Sequence, residues 1–478
     1  MPSFLQRLFR RGAAAPSRSA PAGSPQRSLF DSLYANATGA ASTGNFEEAV
    51  RLYELAIAAD PSRAETYYQR ANSLKNAGRL EAAVASYDQA IERKPDHSHA
   101  YCNRGVVQQT LGLLDAALSS YDHAIALNAG DFMAHYNRAL LMQELSRWDE
   151  ALASYGRAIE LNPQFADAHC NRAMAQLFLG DFRSGWRGYE WRWANAERLG
   201  IGAARSFVQP LWLGNESIAG KRLLLFGEAG FGDTLQFCRY ATLCAQAGAI
   251  VILEAPQSLL SLLGSLDGVN QLIAPDSDLP RFDYQCPLLS LPLAFRTTLD
   301  TIPAPARYLQ ADATRIAKWR ERLGERRRPR VGLAWSGNPK HANDHRRSIP
   351  LADWMGHLPT EFDYFRLQTH VRDADRAALD SNDLIISLED ELTDFGNTAA
   401  LCECLDLVIT VDTSLAHLAG ALGIRTWVLL PYTPDFRWLQ HRSDSPWYPT
   451  LKLYRQSIAD DWAGVFEQVA ADLRNEFG

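Results

Sequence analysis

The sequence predicts an α plus α/β protein, in which a solenoid of paired helices precedes two parallel-sheet domains. Its 478 residues exceed what one core holds, at roughly 100–200 residues per domain. A 34-residue period runs as far as Tyr189. Beyond Lys221, short apolar runs alternate with helix-length segments, which is βαβ patterning.

Composition narrows the function classes. Hydrophobic residues at 47% and charged residues at 22% describe a chain that folds, which excludes a wholly disordered or collagen-like protein. A formal net charge of -7 argues against a polyanion-coating role, so no nucleic acid partner is expected. The seven cysteines form no C-x-x-C pair, which points away from a disulfide framework or zinc ribbon and toward a reducing, cytoplasmic setting. No apolar run approaches the roughly 18 residues of a spanning helix. The first residues lack the apolar core of a secretory signal, so the protein is expected to stay inside the cell.

Residues 1–30 read as a basic flexible tail. Arg7, Arg10, Arg11, Arg18 and Arg27 face no acid, and Gly12 to Ser28 is rich in Ala, Pro, Ser and Gly. Phe4, Leu5, Leu8 and Phe9 fall at helical spacing, so the alternative is a short amphipathic contact with the inner face of a membrane.

Residues 31–199 carry about five repeats. Tyr53, Tyr87, Tyr121, Tyr155 and Tyr189 lie 34 apart, as do Gly44, Gly78, Gly112, Ser146 and Gly180. Pro61, Pro95 and Pro163 share a position with Ala129, and Ala71, Ala139 and Ala173 share one with Gly105. Small residues let helices approach, the aromatic fills the seam and Pro starts a new unit. The pattern resembles the tetratricopeptide repeat. Gln69, Asn103, Asn137 and Asn171 recur, each followed by Arg. Such an amide row could hydrogen-bond an extended peptide, which makes Asn103, Asn137 and Asn171 candidate acceptor-binding residues. The alternative is that they satisfy neighbouring turns. The last unit ends in an aromatic cluster, Trp186, Tyr189, Trp191 and Trp193, suited to docking on the next domain.

Residues 200–320 and 321–478 read as the two sheet domains, with a boundary near Arg326 to Pro329. Strands are predicted near Leu223–Phe226, Ile250–Glu254, Gln271–Ala274 and Asp283–Pro287. In the second half they are expected near Arg330–Trp335, Tyr364–Gln368, Leu384–Ser387, Leu407–Val411 and Thr426–Leu430. Ligands of such folds sit beyond the carboxyl ends of strands.

Three clusters occupy those places. Gly227 to Asp233 closes a strand and opens a helix predicted over Thr234 to Ala247. Its glycines permit close approach of a ligand, and it lacks both the Lys-Ser/Thr of a triphosphate loop and the G-x-G-x-x-G spacing. Asp233 can serve as a general base, although an Asp there is more commonly a helix cap. The second cluster runs from Trp335 to Pro350. Arg346 and Arg347 offer forked donors to a diphosphate, and Ser336 and Asn338 add neutral ones. His341 and His345 have no assured third ligand, and Pro339 argues against a helix there, so no metal site is expected. In the third cluster a buried strand delivers Asp412, Thr413 and Ser414 to a helix start, with His417 one turn inside.

Together these motifs resemble the heptosyltransferase-like glycosyltransferases of family 9, in the bacterial branch that fuses tetratricopeptide repeats to the transferase. The resemblance covers about Leu33 to Gln456 and implies a two-domain GT-B fold, with twin Rossmann-like domains and inverting, metal-independent transfer from a nucleotide-sugar. No other cofactor is implied. By resemblance Gly232-Asp233 matches the family's Gly-Asp with its candidate base, and Arg347-Ser-Ile-Pro350 falls where those enzymes carry Lys-x-Trp-Pro. Asp412-Thr-Ser-Leu-Ala-His417 is similar to their Asp-Thr-Gly-x-x-His, which implies donor-binding roles for Asp412, Thr413, Ser414 and His417. Gln368 resembles a position near the nucleotide base, and Asp435-Phe-Arg-Trp438 is a further cleft-side candidate. The expected activity is sugar transfer to a protein or peptide hydroxyl recruited by the repeats. The alternatives are a repeat scaffold with an inactive transferase-like domain, or transfer onto a cell-envelope glycan precursor.

Overall fold

The structure, a computed structural model, describes residues 25–196, 205, 207–340 and 343–477. The chain divides into two compact units, Met1–Arg172 and Ala173–Gly478.

The first unit is a helical solenoid. Its pairs are Pro25–Ser42 with Phe46–Ala59, Ala64–Asn76 with Leu80–Arg93, Ser98–Thr110 with Leu114–Leu127, and Phe132–Glu144 with Trp148–Leu161. The first helix begins at Pro25, inside the stretch read as linker, because Pro suits the first helical position. The remainder of that tail, including Phe4 to Phe9, lies outside the described residues.

Each pair turns on a left-handed residue: Gly44 at φ 78°, Gly78 at 77° and Gly112 at 73°. A Cβ at these glycines would meet nothing within 4 Å, so backbone conformation and not crowding selects Gly. Ser146 takes the same role at φ 58°, at the steric cost a side chain meets there.

The repeated tyrosines fill the seam, with Tyr53, Tyr87, Tyr121 and Tyr155 all buried. Their hydroxyls reach Thr38, Asn72, Gln109 and Gln143 at 2.6–3.1 Å. A second periodic bond fixes helix to helix: Arg70, Arg104 and Arg138 each donate to a serine sixteen residues on, at 2.9, 3.1 and 2.9 Å. The boundary between the units falls inside the fifth repeat rather than after it, so the helix Phe182–Tyr189 belongs to the second unit.

That unit contains two wholly parallel sheets. The first holds β1 (Arg222–Phe226), β2 (Ile250–Glu254), β3 (Val269–Ile273) and β4 (Tyr284–Pro287) in the order β3-β2-β1-β4. The second holds β5 (Arg330–Ala334), β6 (Asp363–Arg366), β7 (Ile385–Ser387), β8 (Leu407–Val411), β9 (Thr426–Leu430) and β10 (Leu451–Arg455). Its order, β7-β6-β5-β8-β9-β10, is the 3-2-1-4-5-6 arrangement of a doubly wound sheet. The central strands β5, β8 and β9 are buried along their whole length, as helices on both faces require.

Two elements differ from the sequence expectation. The helix predicted over Thr234 to Ala247 is two helices, Phe231–Phe237 and Tyr240–Gln246. The break falls at Cys238–Arg239, where the buried Arg239 guanidinium bonds Gln236 O, Pro303 O and Trp447 O at 2.7–3.0 Å. Strand β10 was not predicted: it is an edge strand whose Leu-Lys-Leu-Tyr-Arg interleaves charge with apolar residues.

The aromatic segment after the repeats packs on the sheets. Trp186 is buried and meets Phe237, Phe436 and Trp447 edge-on at 6.0, 5.9 and 6.4 Å between ring centroids.

Candidate functional site

The site is built where strand order reverses. In the second sheet this is between β5 and β8, and the loops leaving these two strands carry the second and third clusters. Thr413 caps the helix Ser414–Ala421, its side chain accepting from Leu415 N–H at 3.3 Å. From the other loop Arg347 Nη1 donates to the carbonyl of Asp412 at 2.8 Å. Its guanidinium lies across Gly337, where a Cβ would come within 2.7 Å of Nη2.

The first sheet supplies the remaining wall. A Cβ on Gly232 would lie 2.8 Å from the His417 ring and 3.6 Å from Ser414 Cα, so only glycine allows this approach. Phe231 and Phe395 meet at 5.1 Å across the same seam. Asp233 does cap its helix, Oδ2 accepting from Gly230 N–H at 3.0 Å. Its other oxygen, Oδ1, is ion-paired with Arg437.

Electrostatics concentrate here. Enclosure pushes Asp412 up to about 6; Asp435 adds to the rise, while Arg347, Trp438 and Arg437 oppose it. His417 is held well below its ordinary value by burial and then by Arg437, Arg239 and Arg347, so its imidazole is neutral at pH 7. It pairs with Tyr448 Oη at 2.9 Å through Nδ1 and stacks on Trp438 at 5.5 Å. Burial opposes the charge on Arg437, yet Asp435 and Asp233 outweigh it and hold the guanidinium firmly protonated.

Of the donor-side candidates, Gly232, Arg347, Asp412, Thr413, Ser414 and His417 therefore converge with Asp233. Arg346 is exposed and Arg347 is the arginine that reaches Asp412. Asn338 is exposed and caps its own turn, accepting from Lys340 N–H at 3.0 Å. Gln368 does not present its amide to a ligand in this arrangement. Its oxygen accepts from Trp335 and Ser336 N–H at 2.9 and 3.1 Å, and its nitrogen donates to Ser336 Oγ and His370 O. It braces the loop that holds Ser336. His341 lies outside the described residues. Among those residues no group of three or more His, Cys, Asp or Glu side chains is placed to hold a metal.

The solenoid amides are also in use. Asn103 Nδ2 donates to Tyr68 Oη and Asn72 Oδ1 at 3.0 Å, Asn171 Nδ2 to Tyr136 Oη at 2.8 Å, and Asn137 Nδ2 approaches Cys102 Sγ at 3.5 Å. Each ties its repeat to a helix of the preceding one.

One buried group has no counterpart in the sequence reading, and a second was named there only within a segment. Arg192 is wholly buried and donates to Glu190, Glu228 and Ser290 at 2.6, 2.8 and 2.7 Å. It anchors the glycine loop through Glu228, whose carboxyl burial pushes up to about 7 against the opposing pull of Arg192. Arg437 was visible only as part of the Asp435–Trp438 segment; its partner Asp233 lies 204 residues away.

Comparison with known proteins supports the repeats. Residues 68–132 match the family described as Tetratricopeptide repeat, and residues 144–180 that described as TPR repeat. The chain is 26% identical over 341 residues to Protein FlbA of Caulobacter vibrioides, covering 63% of this chain and 53% of the relative. It thus spans about half the length of the curated relative it matches. Among solved structures, MamA is similar at 22% identity, over 34% of this chain and 95% of MamA, with a TM-score of 0.32. YrrB, described as a TPR protein with an unusual peptide-binding site, is similar at 20% identity over 36% of this chain and 91% of its own, with a TM-score of 0.31. The N-terminal helices are tetratricopeptide repeats, a class suited to protein interaction, followed by an α/β region of parallel sheets. Among the described residues no helix is long and apolar enough to cross a membrane.

Proposed function

We propose that the α/β region is a GT-B glycosyltransferase that moves a sugar, with inversion, from a nucleotide-sugar to a protein or peptide hydroxyl recruited by the repeats. The observation that carries this reading is the meeting of Gly232-Asp233 from one sheet with Ser414 and His417 from the other. A carboxylate thereby stands opposite a helix N-terminus flanked by a guanidinium. In the proposed step Asp233 takes the acceptor hydroxyl proton, and the acceptor oxygen bonds to the anomeric carbon. The carbon–oxygen bond to the diphosphate breaks from the opposite face. Arg347, Thr413 and the N–H groups opening Ser414–Ala421 receive the charge that departs with the nucleotide.

Nucleotide release from UDP, GDP, ADP, CMP and dTDP sugars, with cell lysate as acceptor, tests the reading. Release of one nucleotide by the wild type, lost in Asp412→Ala, is expected. Transfer that persists in both Asp233→Ala and Arg347→Ala would refute the mechanism. A second reading, a repeat scaffold whose α/β region has lost catalysis, draws on the occupation of both Asp233 oxygens. Silence of the folded wild type toward every donor, with partner binding lost on deleting Leu33 to Arg172, would favour it.

A further inference from the structure

Arg437 and Gly230 hold the two oxygens of Asp233, so a guanidinium occupies the Oδ1 side that an acceptor hydroxyl would approach. Arg437 rises from the turn Phe436–Trp438 after β9 and also bonds Asp435 Oδ1 and Gln236 Oε1, at 2.7 and 2.8 Å. Its side chain is 11% exposed, and the neighbouring Trp438 stacks on the His417 that overlies Gly232. Its charge is felt at both Asp412 and His417, so it stands between the glycine loop and the helix start.

Asp233 and Asp435 pair with Arg437, and Asp344 lies 3.6 Å from Arg347, so the guanidiniums at the junction already face carboxylates. A diphosphate adds further negative charge there and competes with those carboxylates for a guanidinium. Arg347 donates to a neutral carbonyl and shares Asp344 with Arg372, whereas Arg437 alone is held by two acids. Of its two acids, Asp435 is two residues away on the same turn and moves with it, while Asp233 belongs to the other sheet.

We propose that Arg437 is a reserve ligand for a nucleoside diphosphate, parked on Asp233 until that anion arrives, so that donor binding releases the base. This rests on the transferase reading above and adds an order to it: the donor precedes the acceptor. Arg437 is a positioning residue here. Gly230 N–H keeps hold of Asp233 Oδ2 while Oδ1 is freed toward the acceptor.

Calorimetric titration of the full chain with UDP, GDP, ADP and dTDP tests the exchange without needing an acceptor. For the diphosphate that the wild type binds, Arg437→Gln should weaken binding about tenfold and Asp233→Asn should tighten it several-fold, the scale of a charge-assisted hydrogen bond gained or lost. A gain of affinity cannot come from misfolding. In the Arg437→Gln background, Asp233→Asn should have no effect, which separates guanidinium exchange from the mere removal of a negative charge. Unchanged or weaker binding by Asp233→Asn, or equal tightening in both backgrounds, would overturn the proposal and leave the transferase reading standing. Binding of none of the four by the folded wild type would overturn the exchange, and the sugar-release panel then decides the transferase reading.

Discussion

The two units bury polar groups in opposite ways. In the solenoid the repeated tyrosine hydroxyls and arginine guanidiniums find partners one helix or one repeat away, and the solution recurs: Tyr87, Tyr121 and Tyr155 each on an amide, and Arg70, Arg104 and Arg138 each on a serine. In the α/β unit the partners are unique and distant. Arg239 reaches Trp447, Arg437 reaches Asp233, and Arg192 reaches Ser290. A repeat distributes its polar contacts, so damage stays local; the sheets concentrate theirs, so one side chain holds several segments together.

The strongest way to break that contrast is Arg239→Met. It takes the donor from three backbone carbonyls and leaves the Tyr308 hydroxyl only its bond to Leu235 O, and should cost about 3–5 kcal/mol in urea unfolding of the second unit, while the solenoid transition stays in place. A comparable loss in the solenoid transition would erase the distinction. Tyr121→Phe, the matched change in the repeats, removes one hydroxyl from Gln109 and should cost only about 1 kcal/mol.

Between these lies a pH effect. The folded Glu228 carboxyl titrates near 7 against an ordinary value of 4.5, so between those values the folded state holds the proton that the unfolded state releases. Stability therefore falls as pH rises from about 4.5 to 7. Glu228→Gln removes that fall, and above pH 7 the variant should be the more stable by on the order of 2 kcal/mol. Thermal melts at pH 5 and 8 check this; a wild type more stable at both would count against it. The smallest effect is Ser146→Gly, which relieves a left-handed side chain and should add about 0.5–1 kcal/mol to the solenoid.

The same contrast explains what could be read from the chain. Period 34 exposes every solenoid device, because a residue and its role return together: the left-handed turn at Gly44, Gly78 and Gly112, and its exception at Ser146. Strands β1, β2, β5, β8 and β9 were legible as apolar runs between turn residues, and β10 was not, since an edge strand lacks that run. Short motifs located Asp233, Arg347 and Asp412 to His417. They could not show that Arg437 closes on Asp233 across 204 residues, nor that Gln368 faces inward to hold Trp335 and Ser336, because spacing does not encode tertiary partners. The Asn103 row adds a contact that period alone does not show, its amide nitrogen tying one repeat to the preceding one.

The position of the unit boundary matters to anyone who divides this chain. Counting repeats invites a cut at 199/200, which would strip Phe182, Trp186, Tyr189 and Arg192 from the α/β unit. Phe237, Phe436 and Trp447 would then lose their aromatic cover, and Glu228 its guanidinium. A fragment opened at Ala173 keeps all of them, and it is the one to express when the second half is wanted without the array.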